Sequence, residues 1–175
     1  MASNTVSAST KTDLSTAGIF AESRSFPKIS IVIPAFNEAK LIATTLESVF
    51  QARMAYLGEV EVIVVDNNSS DATGEIAASK GAMVVFEPIN QIARARNAGG
   101  KSATGDYLIF LDADTLIEGD ILAKVARHLG SGQVIGGGAW VEPDSGWFGR
   151  LVFKYGINLI LAMRNVTVGP FLYCD

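Results

Sequence analysis

The stretch Gly105-Asp-Tyr-Leu-Ile-Phe-Leu-Asp-Ala-Asp114 decides the fold of this chain. Its centre, Tyr107 to Leu111, is a continuous apolar run, and a carboxylate follows it directly at Asp112. Continuous rather than alternating apolar residues are typical of a strand in a parallel sheet that is covered on both faces. Ligands of such sheets bind outside the carboxyl ends of the strands. We therefore expect Asp112 and Asp114 to lie at a ligand-binding edge of a sheet.

The chain up to about residue 130 repeats this alternation of apolar runs and helical patterns. Strands are predicted at 28–33, 60–65, 82–86 and 107–111, and helices at 38–53, 72–80, 91–103 and 121–129. This order predicts an α/β fold, in which a mostly parallel sheet is flanked by helices. Asn37 is expected to cap the first helix, and Gly81 to end the second.

Composition and charge argue against several kinds of site. The 175 residues suit one domain with a tail, and 14 Lys+Arg against 18 Asp+Glu give a net charge of −4. No nucleic-acid partner is expected, because no basic surplus can neutralise a phosphate backbone. Cys174 is the single cysteine and His128 the single histidine. An intrachain disulfide, a cysteine zinc site and a histidine-based triad are therefore not expected, and a metal would be held by oxygen.

Residues 1–27 hold ten Ser or Thr and lack a basic stretch followed by an apolar one. We expect a disordered leader and a cytoplasmic protein. An amphipathic helix is predicted at 147–163, too short to span a membrane, which takes about 20 apolar residues. Its apolar face would pack on the core or on an acceptor-binding half. The alternative is an interfacial helix at 147–164 on anionic lipid at the cytoplasmic face of a membrane.

The carboxylates Asp112 and Asp114 have two interpretations. A divalent ion, Mg²⁺ or Mn²⁺, would relieve the repulsion between them, because carboxylate oxygens suit hard cations. Alternatively, Asp114 or Thr115 caps the following helix. The position directly after a buried strand makes the two interpretations equal.

The loop 66–71 follows another predicted strand and is rich in acidic, amide and hydroxyl side chains. Asp66 and Asn67, nearest the strand, are candidates for hydrogen bonds to a ribose or a base. Asp71 is expected to cap the next helix, as in an ordinary turn between strand and helix.

Three other features are candidates for a role in the site. Phe36 would stack on a nucleobase or fold back on the following helix. Arg94 and Arg96, two residues apart, do not share a helix face, so at most one can face the site, where it would pair with a diphosphate. The glycines 136–138 fit no phosphate-loop pattern and predict a bulge or a close approach of two backbones.

Four segments together resemble the family 2 glycosyltransferases with the GT-A fold. They are Ile31-Val-Ile-Pro-Ala-Phe-Asn-Glu38, Val64-Val-Asp-Asn-Asn-Ser-Ser-Asp-Ala-Thr73, Ala95-Arg-Asn-Ala-Gly99 and the opening stretch, Gly105 to Asp114. The resemblance runs from about residue 28 to 140. After the leader expected at 1–27, it implies a Rossmann-like domain at 28–175 that is the sugar-donor-binding portion of a transferase, truncated before the acceptor half.

The resemblance also implies an activity and a site. A hexose would pass from a UDP or GDP sugar to an acceptor hydroxyl, with Asp114, and Asp112 as a second candidate, holding Mg²⁺ or Mn²⁺. The residues that would bind the sugar donor are Pro34, Ala35, Phe36, Asn37, Glu38, Asp66, Asn67, Arg96 and Asp112. Many relatives have Asp where Asn67 stands.

The family's catalytic base has no counterpart before Asp175, and the acceptor is unknown, with a lipid-linked one suggested by the helix at 147–164. Two other functions are weighed against the transferase. A sugar-phosphate nucleotidyltransferase would need a glycine-rich, basic loop after the first strand, which Pro34 to Glu38 is not. A non-catalytic or partner-dependent nucleotide-sugar-binding module is the remaining alternative.

Overall fold

The structure, a computed structural model, describes residues 26–138 and 171–175. Its strands are β1 (Ile29–Ala35), β2 (Val60–Asp66), β3 (Met83–Phe86), β4 (Tyr107–Leu111), β5 (Gly136–Gly138) and β6 (Phe171–Cys174). Its helices are α1 (Ile42–Met54), α2 (Thr73–Ser79), α3 (Ile92–Ser102) and α4 (Ile121–Leu129). The alternation of strand and helix predicted up to residue 129 is confirmed.

The six strands form one sheet in the order β3-β2-β1-β4-β6-β5. Strands β1 to β4 pair in parallel, whereas β6 runs antiparallel to both β4 and β5. Ala35 at the end of β1 is in register with Asp66 at the end of β2, and Asp66 with Phe86 at the end of β3. The carboxyl ends of the parallel strands therefore meet at one edge, as the sequence predicts.

Helices cover the sheet on both faces. On one face, Ile31 and Ile33 belong to the larger core cluster, to which α1, α2 and α4 all contribute buried side chains. On the other face, Val32 and Val65 pack with Ala95 of α3. Each fully buried Val or Ile contributes roughly 1.5–3 kcal/mol through removal of its surface from water. This burial on both faces explains the continuous apolar runs of β1 and β2.

Strand β3 departs from that pattern. It is an edge strand, and Met83 and Phe86 are 46% and 61% exposed. Its apolar composition therefore does not reflect burial. Among the described strands, β3 has a neighbour, β2, on one side alone, which leaves its side chains less covered than those of β1 and β2.

Several predictions about helix ends are wrong, and others are confirmed. Helix α1 begins at Ile42, so Asn37 lies too far upstream to cap it and instead has a positive φ of 56°. Helix α4 begins at Ile121, so neither Asp114 nor Thr115 caps it. Gly81 ends α2 with a φ of +89°, as expected of a glycine there.

The three glycines of β5 show a close approach of two backbones rather than a bulge. Their pairing with β6 is regular, and a Cβ on Gly136 would lie 2.8 Å from the carbonyl oxygen of Tyr173. His128, in the last turn of α4, makes a 2.7 Å hydrogen bond between Nδ1 and the Tyr173 hydroxyl. This hydrogen bond joins the last turn of α4 to β6.

The predicted helix at 147–163 and the predicted leader, apart from Phe26 and Pro27, lie outside the described residues. Phe26 packs edge-on against Tyr56, whose hydroxyl donates to the Pro27 carbonyl over 2.6 Å. Among the described helices, none is both long and apolar enough to cross a bilayer.

Candidate functional site

The site lies where the loops after β1, β2 and β4 leave the sheet. Backbone hydrogen bonds extend the sheet by one residue at this edge. The Asn67 amide donates to the Ala35 carbonyl over 2.8 Å, and the Glu87 amide donates to the Asp66 carbonyl over 2.9 Å. Predicted site residues from two separate loops are therefore held side by side.

Asn37 joins the first loop to the second. Its backbone amide donates to Ser69 Oγ over 3.0 Å, and its Oδ1 accepts the Ser70 backbone amide over 2.8 Å. The left-handed backbone of Asn37 is one that asparagine tolerates better than most residues. The side chain thus serves the loop geometry, which leaves neighbouring Phe36 at the surface of the site.

Asp71 makes a second connection between the same loops. Its Oδ2 accepts the Ala39 amide over 3.1 Å, and its Oδ1 accepts the Thr73 amide over 3.0 Å. The Thr73 hydroxyl, a further hydrogen-bond partner of Asp71, is the main cause of the lowered pKa of that carboxyl. The N-cap of α2 is Ala72, so Asp71, the predicted cap, lies one residue before the N-cap while still binding the first helical amide.

Glu38 lies in a negative environment between these loops and the end of β4. Its amide donates to Thr73 Oγ1 over 2.8 Å. Partial burial, followed by the charges of Asp114 and Asp71, raises the pKa of its carboxyl. Both carboxylates therefore repel that of Glu38, and a cation would relieve this repulsion.

Arg96 and Asp112 form an ion pair at the end of β4. Arg96 Nη2 lies 3.0 Å from Asp112 Oδ1, and the two side chains are 30% and 36% exposed. The Nε atom of Arg96 is buried and has no hydrogen-bond partner among residues 26–138 and 171–175. Arg94 points elsewhere and pairs with Glu87 at 3.1 Å. Only Arg96 of the two arginines thus reaches the Asp-x-Asp segment.

The oxygen ligands at this edge suit a hard cation but are few. Asp114 is exposed, and Asp112 shares its carboxylate with Arg96. In the described part of the chain, no group of three or more His, Cys, Asp and Glu side chains is arranged to hold a metal. Two carboxylates fit Mg²⁺ or Mn²⁺ only where phosphate oxygens and water complete the coordination shell.

A cavity of about 310 Å³ opens beside the first loop. The residues that line it are Pro34, Ala35, Phe36, Asn67, Asn90, Gln91 and Ile92. Phe36 is 45% exposed and belongs to neither core cluster, so its ring is not packed into the core. Its ring is available to a ligand that enters this cavity.

Sequence reasoning missed three polar residues here: Asn90 and Gln91 in the wall of the cavity, and Glu87, whose buried carboxylate accepts the Ile89 amide. All three follow β3, and the rule that ligands bind at the carboxyl ends of strands could have included this strand too.

Asn67 lies where predicted but is not free to contact a ligand through its amide hydrogens. The residue is 5% exposed, and Nδ2 donates to the carbonyls of Glu87 and Ile89 over 3.2 and 2.5 Å. Its Oδ1 accepts the Gln91 amide over 3.0 Å. Asp66 has fewer hydrogen bonds within the protein. Its Oδ1 accepts the Ser69 amide over 2.9 Å, and this bond does not use Oδ2.

Known proteins resemble this chain in sequence over most of its length. A family model described as "Glycosyl transferase family 2" matches residues 30–168. The chain is 34% identical over 165 residues to a PGL/p-HBAD biosynthesis glycosyltransferase of Mycobacterium bovis (strain BCG / Pasteur 1173P2), with 83% of this chain and 63% of the relative covered. The chain thus spans less than two thirds of the length of that relative.

Solved structures of the same fold include two transferases. The mannosyltransferase PcManGT from Pyrobaculum calidifontis, in complex with GDP-Man and Mn²⁺, superposes with a TM-score of 0.65 at 22% identity, over 86% of this chain and 45% of its own. Glucosyl-3-phosphoglycerate synthase from Mycobacterium tuberculosis, in complex with UDP, gives 0.61 at 23% identity, over 85% and 57%. Both have the mixed sheet flanked by helices that this chain has.

Proposed function

This chain belongs to glycosyltransferase family 2, and from that premise we propose that the loops after β1, β2 and β4 bind the nucleotide-diphosphate part of a sugar donor for metal-assisted hexosyl transfer. The observation that carries the proposal is the cavity beside Phe36 at the same sheet edge as the Arg96–Asp112 pair. An apolar pocket with a few polar groups suits a base, and adjacent charge suits the phosphates.

The roles of the residues follow from their exposure and partners. Phe36 stacks on the base, with Pro34 and Ala35 as the adjoining wall. Asp66 keeps Oδ2 for the base or the ribose, and Asp112 lies on the ribose side. Asn37 and Glu38 border the ribose through the loop they hold in place.

Asp114, with Asp112 as a second ligand, would hold Mg²⁺ or Mn²⁺ together with the diphosphate. When bound, the cation supplies Lewis-acid stabilisation of the departing nucleoside diphosphate. The exposure of Asp114 supports this role, since its carboxylate is open to solvent and to an incoming phosphate. The structure of the Pyrobaculum calidifontis mannosyltransferase is a complex with both GDP-Man and Mn²⁺, which supports a divalent cation for this chain as well.

The acceptor hydroxyl would attack the anomeric carbon from the side opposite the diphosphate if the reaction inverts configuration. Deprotonation of that hydroxyl requires a base, and we assign this role to none of the described residues. The acceptor is unassigned, and contact of residues 147–164 with a lipid surface stays a prediction.

Isothermal titration calorimetry of the 175-residue chain with UDP and GDP, with and without Mn²⁺, tests the proposal. We expect Mn²⁺-dependent binding that Asp114→Ala abolishes, because the remaining carboxylate does not offset the diphosphate charge alone. Glu118→Ala, which removes an exposed charge from the same segment, is the matched control and should bind like the parent chain.

Absence of nucleotide binding in the parent chain would overturn the proposal, and unchanged binding by Asp114→Ala would overturn the metal assignment. Hydrolysis of UDP or GDP sugars then separates a catalytic chain from a partner-dependent binding module, since only the former releases free sugar.

A further inference from the structure

Strand β3 forms an open edge of the sheet. Among the described strands it pairs with β2 alone, and its four residues do so in an unbroken register. The stretch 82–86, Ala-Met-Val-Val-Phe, carries no charge and no proline. Charged side chains, prolines and bulges are the features that keep an edge strand from pairing with another chain. Strand β3 lacks them and is therefore open to pairing with a further strand.

The backbone groups of Val84 and Phe86 point to that open edge. The Glu87 amide donates to the Asp66 carbonyl of β2 over 2.9 Å. Successive residues of a strand direct their N–H and C=O groups to opposite sides, so those of Val84 and Phe86 face away from β2. The side chains of the same two residues share one face of the sheet and are 36% and 61% exposed. These two residues thus carry both outward-facing backbone groups and exposed apolar surface.

The two ends of β3 limit the strand that can pair with it. The next outward position before Val84 is Ala82, whose amide already donates to the Ala77 carbonyl over 3.2 Å. The next outward position after Phe86 is Pro88, which has no N–H. A ladder along this edge therefore uses the N–H and C=O groups of Val84 and Phe86. The strand that matches it best is equally short and has the same two open positions.

We propose that this edge binds a second copy of the chain, with β3 antiparallel to β3 about a two-fold axis that passes beside Val85. In this register Val84 lies opposite the partner's Phe86, and Phe86 opposite the partner's Val84. Each pair exchanges both of its N–H···O bonds. An aromatic residue opposite a β-branched one is a favourable cross-strand pair. Because the same pair forms on each side of the axis, the strand is its own complement, as a two-fold interface requires.

Charged side chains near the strand do not oppose this contact. Lys80 Nζ lies 2.6 Å from Glu47 Oε1, and Arg94 Nε lies 3.1 Å from Glu87 Oε1, so these charges already have partners within one copy. Glu87 and the partner's Glu87 would lie on opposite sides of the axis, roughly 13 Å apart along the strands. The pairing therefore brings apolar side chains together without placing like charges opposite each other.

Sedimentation velocity of the 175-residue chain over a series of concentrations tests the proposal. We expect an equilibrium between monomer and dimer that stops at the dimer, because a two-fold interface is closed. Val84→Lys should raise the dissociation constant of the dimer about tenfold or more, because it removes both Val–Phe pairs. Leu57→Lys is the matched control: it makes the same change of charge at a residue that is 80% exposed, outside β3, and should leave dimerisation unchanged.

A double variant tests the register. Val84→Lys combined with Phe86→Glu in one chain places opposite charges across each pair and should recover the dimer that Val84→Lys alone loses. Added salt should weaken this recovered dimer, since the new pairs are exposed charges. If the double variant stays monomeric, the register is wrong.

Three other outcomes would overturn the proposal: a parent chain that is monomeric at about 1 mM, association that continues past the dimer, or a parental dimer that Val84→Lys leaves intact. Circular dichroism checks that each variant is folded. Should Val84→Lys not fold, Phe86→Lys, at the more exposed position, replaces it and is expected to give the same loss of dimer. The proposal is independent of nucleotide binding, so its failure would leave the proposed function standing.

Discussion

Arg96 on α3 and Asp112 at the end of β4 are joined by a 3.0 Å ion pair, so a helix on one face of the sheet holds the first carboxylate of the Asp-x-Asp segment. The pair is about one third exposed at each partner. Its value for stability is therefore small, roughly 0–1 kcal/mol, and its position suggests a role in binding.

Replacement of Arg96 tests that role. Arg96→Ala should weaken Mn²⁺-dependent binding of UDP or GDP by about tenfold or more, because a charge-assisted hydrogen bond contributes about 1.5–3 kcal/mol. The melting temperature should change little. Arg53→Ala, which removes an exposed arginine from the last turn of α1, is the control for net charge. A large loss of stability without a loss of affinity would assign Arg96 a structural role instead.

Phe36 offers a test of base stacking. With 45% of its surface exposed, it contributes little to the core, so Phe36→Ala should leave the melting temperature nearly unchanged. Nucleotide affinity should fall by about 1–3 kcal/mol if the ring stacks on a base. Phe36→Tyr keeps the ring and should keep the affinity. Parallel calorimetry and thermal melts of the two variants would contradict stacking if both bind equally well.

The adjacent glycines of α3 test how closely this helix packs on the sheet. A Cβ on Gly99 would contact Val32 and lie 2.9 Å from Val65 Cγ2, so Gly99→Ala should destabilise the domain by about 1–3 kcal/mol through overpacking. Gly100→Ala places its Cβ 3.8 Å from Phe110, an ordinary contact, and should stabilise by about 0.5–1 kcal/mol through helix propensity. Urea unfolding measures the change in the free energy of unfolding for each variant. Equal changes in the two variants would contradict the close packing of α3 at Gly99.

Glu61 lies near the start of β2, at the end of the sheet away from the candidate site, and makes part of the protein's stability depend on pH. Burial alone would raise the pKa of its carboxyl, but hydrogen bonds from Ser30 and Thr104 and the charge of Lys28 lower it from 4.5 to about 2. A carboxyl whose pKa is depressed on folding stabilises the protein above its unfolded pKa, and that contribution is lost as the pH falls through the window from 4.5 to about 2.

Glu61→Gln should therefore lower the free energy of unfolding at pH 7 by about 1–3 kcal/mol. The difference in the free energy of unfolding between this variant and the parent chain should narrow as the pH drops below 4.5, because the parental carboxyl then takes up a proton on unfolding. Urea titrations at a series of pH values measure this difference, and Glu47→Gln, which changes an exposed glutamate, is the control. If this difference in the free energy of unfolding is the same at every pH, the charge of Glu61 does not contribute to stability.

The sequence by itself determined the strands and where their polar ends meet. A continuous apolar run such as Tyr107 to Leu111 is typical of a central strand with a helix on each face, and the predicted bounds match β4. The apolar composition and the period of a strand are local properties, so they can be read from neighbouring residues. The motifs at the strand ends are short contiguous stretches of sequence, so they too could be recognised without the structure, and they identified the family.

Only the tertiary structure decided what the polar side chains at those ends do. Asn37 could cap a helix by its position in the chain, but it binds Ser69 and Ser70 instead. The amide of Asn67 suits a base or a backbone carbonyl equally well, and its partners, Glu87 and Ile89, lie 20 and 22 residues away in the chain. Hydrogen-bonding groups accept any partner of the right geometry, so their choice depends on which loops the sheet brings together. That choice depends on the whole fold, and no local pattern contains it.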